Sequence, residues 1–180
     1  MEELIENQRP LAVKEWGPGA SKALDHVTAN IGTIQGGTKI NLVADGCEAE
    51  LDIRVPIGLT LDQVKRFLDE GFRDEGLGEV ESEFIYKVEP NYTRPGERIV
   101  KLVRQNSKEI VGKAAIPVLR LGMTDARFFR GMSIPTVVYG PTAYHMGGPN
   151  EHIMVEDLIS TAKVHAGVLV DYLSEKNETG

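Results

Sequence analysis

The segment Gly122–Glu151 constrains the fold more than any other part of the sequence. It contains a helix-compatible Thr-Asp-Ala-Arg-Phe-Phe run, a β-branched run at Ile134–Tyr139, and then Gly140 and Pro141, which favour a turn. His145 follows that turn and precedes a Gly-Gly-Pro-Asn-Glu loop. A strand that ends in Gly-Pro beside a short helix is typical of α/β proteins, whose binding sites lie at strand ends. The alternative is an ordinary strand, turn and helix cap, with His145 simply exposed.

Composition and charge exclude several classes of protein. The net charge is −7 and the 20 basic residues form no cluster, which argues against nucleic-acid binding. The single cysteine, Cys47, excludes an internal disulfide framework and a thiolate zinc site. No apolar run approaches the roughly 20 residues of a membrane span, and the first residues lack the apolar core of a signal peptide. We therefore expect a cytoplasmic protein with no membrane partner.

The first half of the sequence predicts strands. Residues Cys47–Val55 alternate between apolar and charged side chains, which predicts a half-buried antiparallel strand. The run His26–Ile34 is rich in β-branched residues and predicts another strand. Glycines at 36 and 37 permit a turn, so we expect Ile40–Val43 to form the strand that pairs with it.

A helix and a further strand complete this half. Pro56 ends the preceding strand, and Thr60 with Gln63 forms a capping box for a helix from Leu61 to about Phe72, whose apolar face should lie on the sheet. The alternation in Glu79–Val88 predicts a strand. The order strand, strand, helix, strand is that of an incomplete ferredoxin-like α+β domain that lacks its leading strand and most of its first helix.

The second half predicts a partial α/β domain. The Pro- and Gly-rich stretch 89–96 is the best candidate linker, so we divide the chain into domains 1–92 and 93–180. Helices and strands then alternate, which predicts parallel strands whose ends share one edge. The predicted elements are a helix over 99–111 ended by Gly112, a buried strand at 116–121, a helix at 126–130, a strand at 136–139, and a helix from Val155 to about Leu173.

Three polar residues are candidates for chemistry, each with a simpler alternative. Arg127 has the planar guanidinium that suits a carboxylate, although an ion pair with Asp125 is the simpler explanation. His145 has glycine neighbours that permit close approach of a ligand, but one histidine alone cannot hold zinc. Asn41 is suited to a substrate oxygen or to stabilising its own turn. His165 fits a satisfied core or boundary histidine better than a ligand.

The sequence resembles a family of zinc-dependent amidohydrolases and peptidases. That family includes acetylornithine deacetylase, succinyl-diaminopimelate desuccinylase, aminoacylase and glutamate carboxypeptidase. The motifs that carry the resemblance cover nearly the whole chain in the expected order. They are GGTKINLV at 36–43, AELDIRVP at 49–56, GMTDARF at 122–128, YGP at 139–141, then His145 and the Asn-Glu pair at 150–151.

The resemblance implies a fold and roles for particular residues. Domain 1–92 would be the lid or dimerisation domain, and domain 93–180 the C-terminal part of the catalytic domain. His145 would be a metal ligand, Arg127 would bind the substrate carboxylate, Thr124 and Gly122 would shape that pocket, and Asn41 would reach from the lid towards the substrate. Family members bind two zinc or cobalt ions, which activate water for attack on an amide.

The resemblance also implies what this chain lacks. The family's other metal ligands and its general base precede the lid, so no catalytic residue is assigned here. We expect a fragment or truncated member that is inactive and holds no stable metal alone. It would form a homo-oligomer through the lid and act on a small carboxylate substrate with a separately encoded N-terminal half. The alternative is a non-catalytic dimerisation or small carboxylate-binding module.

Overall fold

The computed structural model describes residues 27–74, 80–120 and 122–174. These residues divide into two compact units. The first comprises the described residues up to Pro90 together with those of Leu119–Gly122. The second comprises Asn91–Val118 together with the described residues from Met123 onwards. The expected features before residue 27, including the start of the strand at His26, lie outside the described residues.

The first unit contains an antiparallel hairpin of β1 (Thr28–Gly36) and β2 (Cys47–Arg54). Its register runs from Thr28 opposite Arg54 to Gly36 opposite Cys47. The prediction of a strand at 40–43 was wrong, because this segment lies in the loop between the strands, where Ile40 is fully exposed. The close approach of the strands requires glycine at position 36, where a Cβ would lie 2.9 Å from the Gly46 carbonyl oxygen.

The hairpin does not have the buried face that its alternation predicts. Leu51 is 44% exposed and Ile34 is 68% exposed, while Ile53 at the end of β2 is half-buried. Alternation shows that one face is suited to burial, but a second layer must be present to cover it. Within the described residues, the next helix does not pack extensively on the hairpin, contrary to expectation.

Helix α1 (Leu61–Asp74) begins as the sequence predicts. The Thr60 backbone N–H donates to Gln63 Oε1 (2.8 Å), and the Gln63 N–H donates to Thr60 Oγ1 (3.2 Å), which confirms the capping box. The Leu61 N–H donates to Glu89 Oε2 (3.3 Å), so a carboxylate also lies at the positive end of the helix. Leu61 and Val64 are buried.

The stretch after α1 contains no strand in its described part, so the prediction for 79–88 was wrong over residues 80–88. It is held to the helix by a side chain instead. Ser82 Oγ donates to Asp69 Oδ1 (2.8 Å), while Lys65 Nζ lies 2.8 Å from both oxygens of the same carboxylate. The hydrogen bonds from Lys65 and Ser82 lower the pKa of Asp69.

The second unit is built on the packing of α2 (Arg98–Val111) against α4 (Val155–Ser174). Leu102, Val164 and Val168 are buried at the centre of this contact, with Tyr139 packed against them. Gly112 adopts the left-handed conformation (φ 80°) and its N–H donates to the Lys108 carbonyl, which confirms the predicted end of α2. The helices expected over 99–111 and 155–173 are thus present.

The strands predicted at 116–121 and 136–139 do not form in the described residues, and Leu121 lies outside them. A single hydroxyl group contacts the chain at each place, at Thr136 in the second segment and at Ala115, immediately before the first. Thr93 Oγ1 donates to the Thr136 carbonyl (2.6 Å) and accepts from its N–H (2.9 Å). Ser107 Oγ accepts from the Ala115 N–H (2.7 Å). An apolar run forms a strand when a neighbouring strand pairs with it, and no such neighbour is present in the described part of the chain.

A short helix and a small hairpin complete the second unit. Helix α3 spans Ala126–Gly131, and β3 (Ala143–Tyr144) pairs with β4 (His152–Ile153) in a small antiparallel hairpin. The fold is therefore of the mixed α/β class, as expected. Within the described residues no helix combines the length and apolar character needed to cross a bilayer.

We expect Gly167→Ala to destabilise the second unit by about 2 kcal/mol, because a Cβ there would overlap the buried side chain of Asn106. Asn106 cannot move away without losing hydrogen bonds from its Nδ2 to the Leu102 carbonyl and Asp171 Oδ2. The control is Gly71→Ala in α1, which has open space around the new methyl and should stabilise its helix by about 0.5–1 kcal/mol. Calorimetric unfolding of both variants measures this, and equal effects would contradict the packing argument.

We expect Ser82→Ala to raise the pKa of Asp69, since it removes a hydrogen bond to the carboxylate. Lys65→Met should raise that pKa further, because the bond from Lys65 is the larger cause. Since the folded-state pKa is depressed, the stabilisation by this carboxylate is present above about pH 4 and is lost as the pH falls through the folded-state value. NMR titration of the Asp69 carboxyl carbon measures the shift, and an unchanged pKa in both variants would refute it.

Candidate functional site

Arg127 lies in the first turn of α3, immediately after a turn that fixes its direction. The Arg127 N–H donates to the Thr124 carbonyl (3.1 Å), and the Phe128 N–H donates to the Asp125 carbonyl (3.1 Å). Thr124 and Arg127, two of the expected site residues, are therefore in direct contact. The contact uses the Thr124 backbone, and residue 124 is exposed.

The guanidinium of Arg127 is only partly used by its neighbours. Nη1 donates to the Thr124 carbonyl (3.0 Å) and lies 3.6 Å from Asp125 Oδ1. Asp125 is 89% exposed, so this ion pair is weak. Both contacts use the same terminal nitrogen, whereas Nε is buried without a hydrogen-bond partner in the described structure. The expected ion pair with Asp125 is present, but it leaves the Nε side of the guanidinium without an anion.

The surroundings of Arg127 restrict how a ligand reaches it. The guanidinium carbon lies 4.2 Å from the centre of the Phe128 ring, so this aromatic side chain covers one of its faces. Phe128 is 58% exposed, so much of this side chain faces solvent. Arg130, further along α3, instead donates from Nε to the Ala126 carbonyl (3.3 Å), and burial lowers its pKa. These contacts distinguish Arg127, whose Nε has no partner, from Arg130.

His145 lies at the start of the loop that joins β3 to β4. Its backbone is in the left-handed region (φ 56°), and its carbonyl accepts the Gly148 N–H (2.9 Å), which closes a tight turn. The Gly147 N–H donates to Glu151 Oε2 (3.2 Å) across the loop. His145 is exposed, and no hydrogen bond or ion pair joins it to Arg127 within the described residues.

His152 lies beside His145, and the sequence analysis did not predict this proximity. The two imidazole rings are 5.8 Å apart, and the His152 ring stacks on Tyr144, its partner across the hairpin, at 5.2 Å. His152 Nδ1 is 2.8 Å from the Asn150 carbonyl oxygen. The sequence does contain a signal for this proximity, because two histidines flank a Gly-rich turn and a hairpin turn brings its two ends together.

The donors near His145 do not make up a metal site. Among the residues that the structure describes, no group of three or more His, Cys, Asp or Glu side chains is arranged to hold a metal ion. Catalytic zinc needs three protein ligands and an open position. His145 is thus an accessible imidazole, and its role as a metal ligand stays a prediction that would need further ligands from outside the described residues.

The other two expected site residues lie in the first unit. Gly122 is exposed and a Cβ there would meet nothing within 4 Å, so crowding does not require glycine at this position. Asn41 is exposed in the β1–β2 loop. Their proposed contacts with a substrate remain predictions.

Comparison with known proteins shows which family the chain is similar to. Residues 1–80 match the family model of the peptidase dimerisation domain, M20_dimer. The chain is 28% identical over 151 residues to the uncharacterised protein YqjE of Bacillus subtilis, covering 81% of this chain and 40% of that protein. It is also 28% identical over 142 residues to an acetylornithine deacetylase of Edwardsiella ictaluri, covering 77% and 36%. The chain is related to the M20 peptidases.

A solved structure supports the same fold. The M20 metallo-carboxypeptidase Sso-CP2 of Sulfolobus solfataricus matches with a TM-score of 0.63 at 17% identity, over 93% of this chain and 44% of that one. At this level of identity the likeness shows the fold alone. The chain thus spans less than half the length of each of these relatives. The matched family model is that of a dimerisation domain, and the matched proteins include one named as a metallo-carboxypeptidase and an uncharacterised metallohydrolase of Methanocaldococcus jannaschii.

We expect Arg127 to bind small carboxylates through its Nε side, so that titration with an N-acetyl amino acid shifts the Nε–Hε NMR signal to saturation. Arg127→Lys keeps the charge but loses the planar pair of donors, and should weaken binding about tenfold or more. Arg130→Met is the matched control on the same helix and should bind as the unmodified chain does. Equal binding by the Arg127→Lys variant would contradict the assignment.

Proposed function

We propose that this chain forms part of a metal-dependent hydrolase of the M20 type that cleaves amide bonds of N-acyl amino acids or peptides. In this proposal residues 1–92 are the lid or dimerisation domain and residues 93–180 are the C-terminal part of the catalytic domain. The observation that carries the proposal is Arg127 at the start of α3, whose Nε has no hydrogen-bond partner among the described residues. A free carboxylate on the substrate is the anion that this side would accept.

In the proposed site each expected residue has a separate task. Arg127 holds the substrate carboxylate, with Thr124 fixing the direction of the arginine through its carbonyl. By the family resemblance alone, Gly122 would shape the carboxylate pocket and Asn41 would offer an amide to a substrate oxygen. His145 supplies one neutral imidazole to a metal, for which zinc or cobalt is the proposed identity. The remaining ligands and the general base belong to an N-terminal portion, so this chain by itself would be inactive.

Homo-oligomerisation through the lid is part of the same proposal. The outer edges of β1 and β2 are unpaired in the described residues, and apolar side chains such as Ile31 and Ile34 are exposed on this hairpin. Unpaired strand edges pair readily with a second copy. The match of residues 1–80 to a dimerisation domain supports this surface.

A non-catalytic dimerisation or carboxylate-binding module is the alternative function. The same exposed hairpin supports dimerisation, and Arg127 supports binding of a carboxylate. The two proposals differ in whether His145 ever holds a metal. They are therefore separated by metal content and turnover, and the oligomeric state does not distinguish them.

To test the proposed function, the chain is purified alone and co-produced with the polypeptide encoded immediately upstream. We expect the chain alone to hold no stoichiometric metal and to leave N-acyl amino acids intact, because one imidazole does not retain a catalytic ion. The combined protein should hydrolyse them, lose activity with a chelator, and regain it with zinc or cobalt. His145→Ala should abolish metal binding. Turnover by the chain alone, or full activity of the His145→Ala protein, would overturn the proposal.

A further inference from the structure

We propose that His165 is a positioning residue that holds the His145 loop in place. His165 Nε2 lies 2.9 Å from the Tyr139 carbonyl oxygen. A carbonyl only accepts, so Nε2 must carry the proton and donate it. This hydrogen bond joins the middle of α4 to the residue just before the Gly140-Pro141 turn, where the chain starts towards His145.

Tyr139 is held in two ways, and both depend on α4. Its side chain packs against the core of Leu102, Val164 and Val168, and its carbonyl accepts from His165. The rings of Tyr139 and His165 lie 6.0 Å apart and are tilted by 52°. The packing fixes the side chain, whereas the hydrogen bond fixes the orientation of the peptide group from which Gly140 continues.

The other end of the loop is attached to the same helix. Strand β4 ends at Ile153 and α4 begins at Val155, so β4 leads almost directly into the helix. The pairing of Tyr144 with His152 then ties β3 to β4. His165 lies about 15 Å along α4 from its start. The segment from Tyr139 to His165 is therefore attached to α4 on both sides of His145. The hydrogen bond from His165 attaches it before His145, and β4 attaches it after.

The tether matters because the chain between Tyr139 and β3 has little else to hold it. A Cβ at Gly140 would meet nothing within 4 Å, so no tight packing surrounds that position. Residues 140 and 142 are exposed. Without the hydrogen bond, the peptide before Gly140 loses this restraint, and the β3–β4 hairpin is then attached to α4 mainly through β4. A displacement of the hairpin would change the position and orientation of the His145 side chain.

His165 is exposed and lies outside the buried core, so its role is separable from the stability of the unit. Replacing it leaves Val164 and Val168 in place. The inference rests on the proposed function in one respect, namely that the direction of His145 matters for metal binding. Replacing a residue that orients a metal-bound histidine typically weakens metal binding by 10–100-fold.

The test compares His165→Leu, which removes the donor, with His165→Gln, whose side-chain amide replaces it. The first measurement is NMR amide exchange in the 180-residue chain. In His165→Leu we expect the Gly147 and Gly148 amides to exchange about fivefold faster, while those of Val164 and Val168 are unchanged. His165→Gln should restore the slower exchange. Unchanged loop exchange in His165→Leu, or equal acceleration throughout the core, would overturn the tether.

The second measurement is zinc affinity of the combined protein described above. We expect it to fall about tenfold in His165→Leu and to recover in His165→Gln. Faster loop exchange without any change in zinc affinity would overturn the positioning role. If the unmodified combined protein binds no metal, the proposed function fails, and loop exchange in the chain alone still decides whether His165 acts as the tether.

Discussion

The second unit depends on the close contact between α2 and α4. Gly167 allows the helices to approach until Asn106 fills the space where a side chain would be. Asn106 is buried and donates to both the Leu102 carbonyl and Asp171 Oδ2 (2.7 Å), so a paired polar group lies within the contact between the two helices. The low dielectric of such a site makes the pairing necessary, because an unpaired amide there would cost about 1–3 kcal/mol.

A second polar contact secures the C-terminal end of α4. Arg98, at the start of α2, donates from Nη2 to the carbonyls of Asp171 (3.2 Å) and Tyr172 (3.0 Å). Its guanidinium also lies 4.4 Å from the centre of the Tyr172 ring. A positive charge at the negative end of a helix is favourable, so α4 is anchored along its length and at its end. The position of the candidate metal ligand His145 depends on this helix. The loop that contains His145 is attached to the helix through β4 on its C-terminal side and through His165 on its N-terminal side.

Side chains take the place of β-sheet pairing in much of this protein. Thr93 and Ser82 each form a side-chain hydrogen bond to or from a segment predicted as a strand, and Ser107 accepts one from Ala115, immediately before another. One hydroxyl fixes a segment at one point, whereas a ladder would fix every second residue and bury a face. Apolar side chains therefore remain exposed, with Ile116 at 81% and Val138 at 67%. Such exposure is in keeping with the proposal that further catalytic-domain chain belongs beside this unit.

The sequence by itself determined the helices and their ends, because the signals that set them are local. Thr60 and Gln63 lie within one turn of each other, and Gly112 ends α2 through its own backbone conformation. The motif at 122–128 likewise pointed to Arg127, and the family resemblance was confirmed by the comparisons. Only the tertiary structure decided which strand pairs with β1 and that residues 80–88 and 136–139 form no strand. It also decided that His152 lies beside His145 and that His165 contacts the chain before the His145 loop. These outcomes depend on partners distant in sequence, since a strand forms where a neighbour supplies its hydrogen bonds.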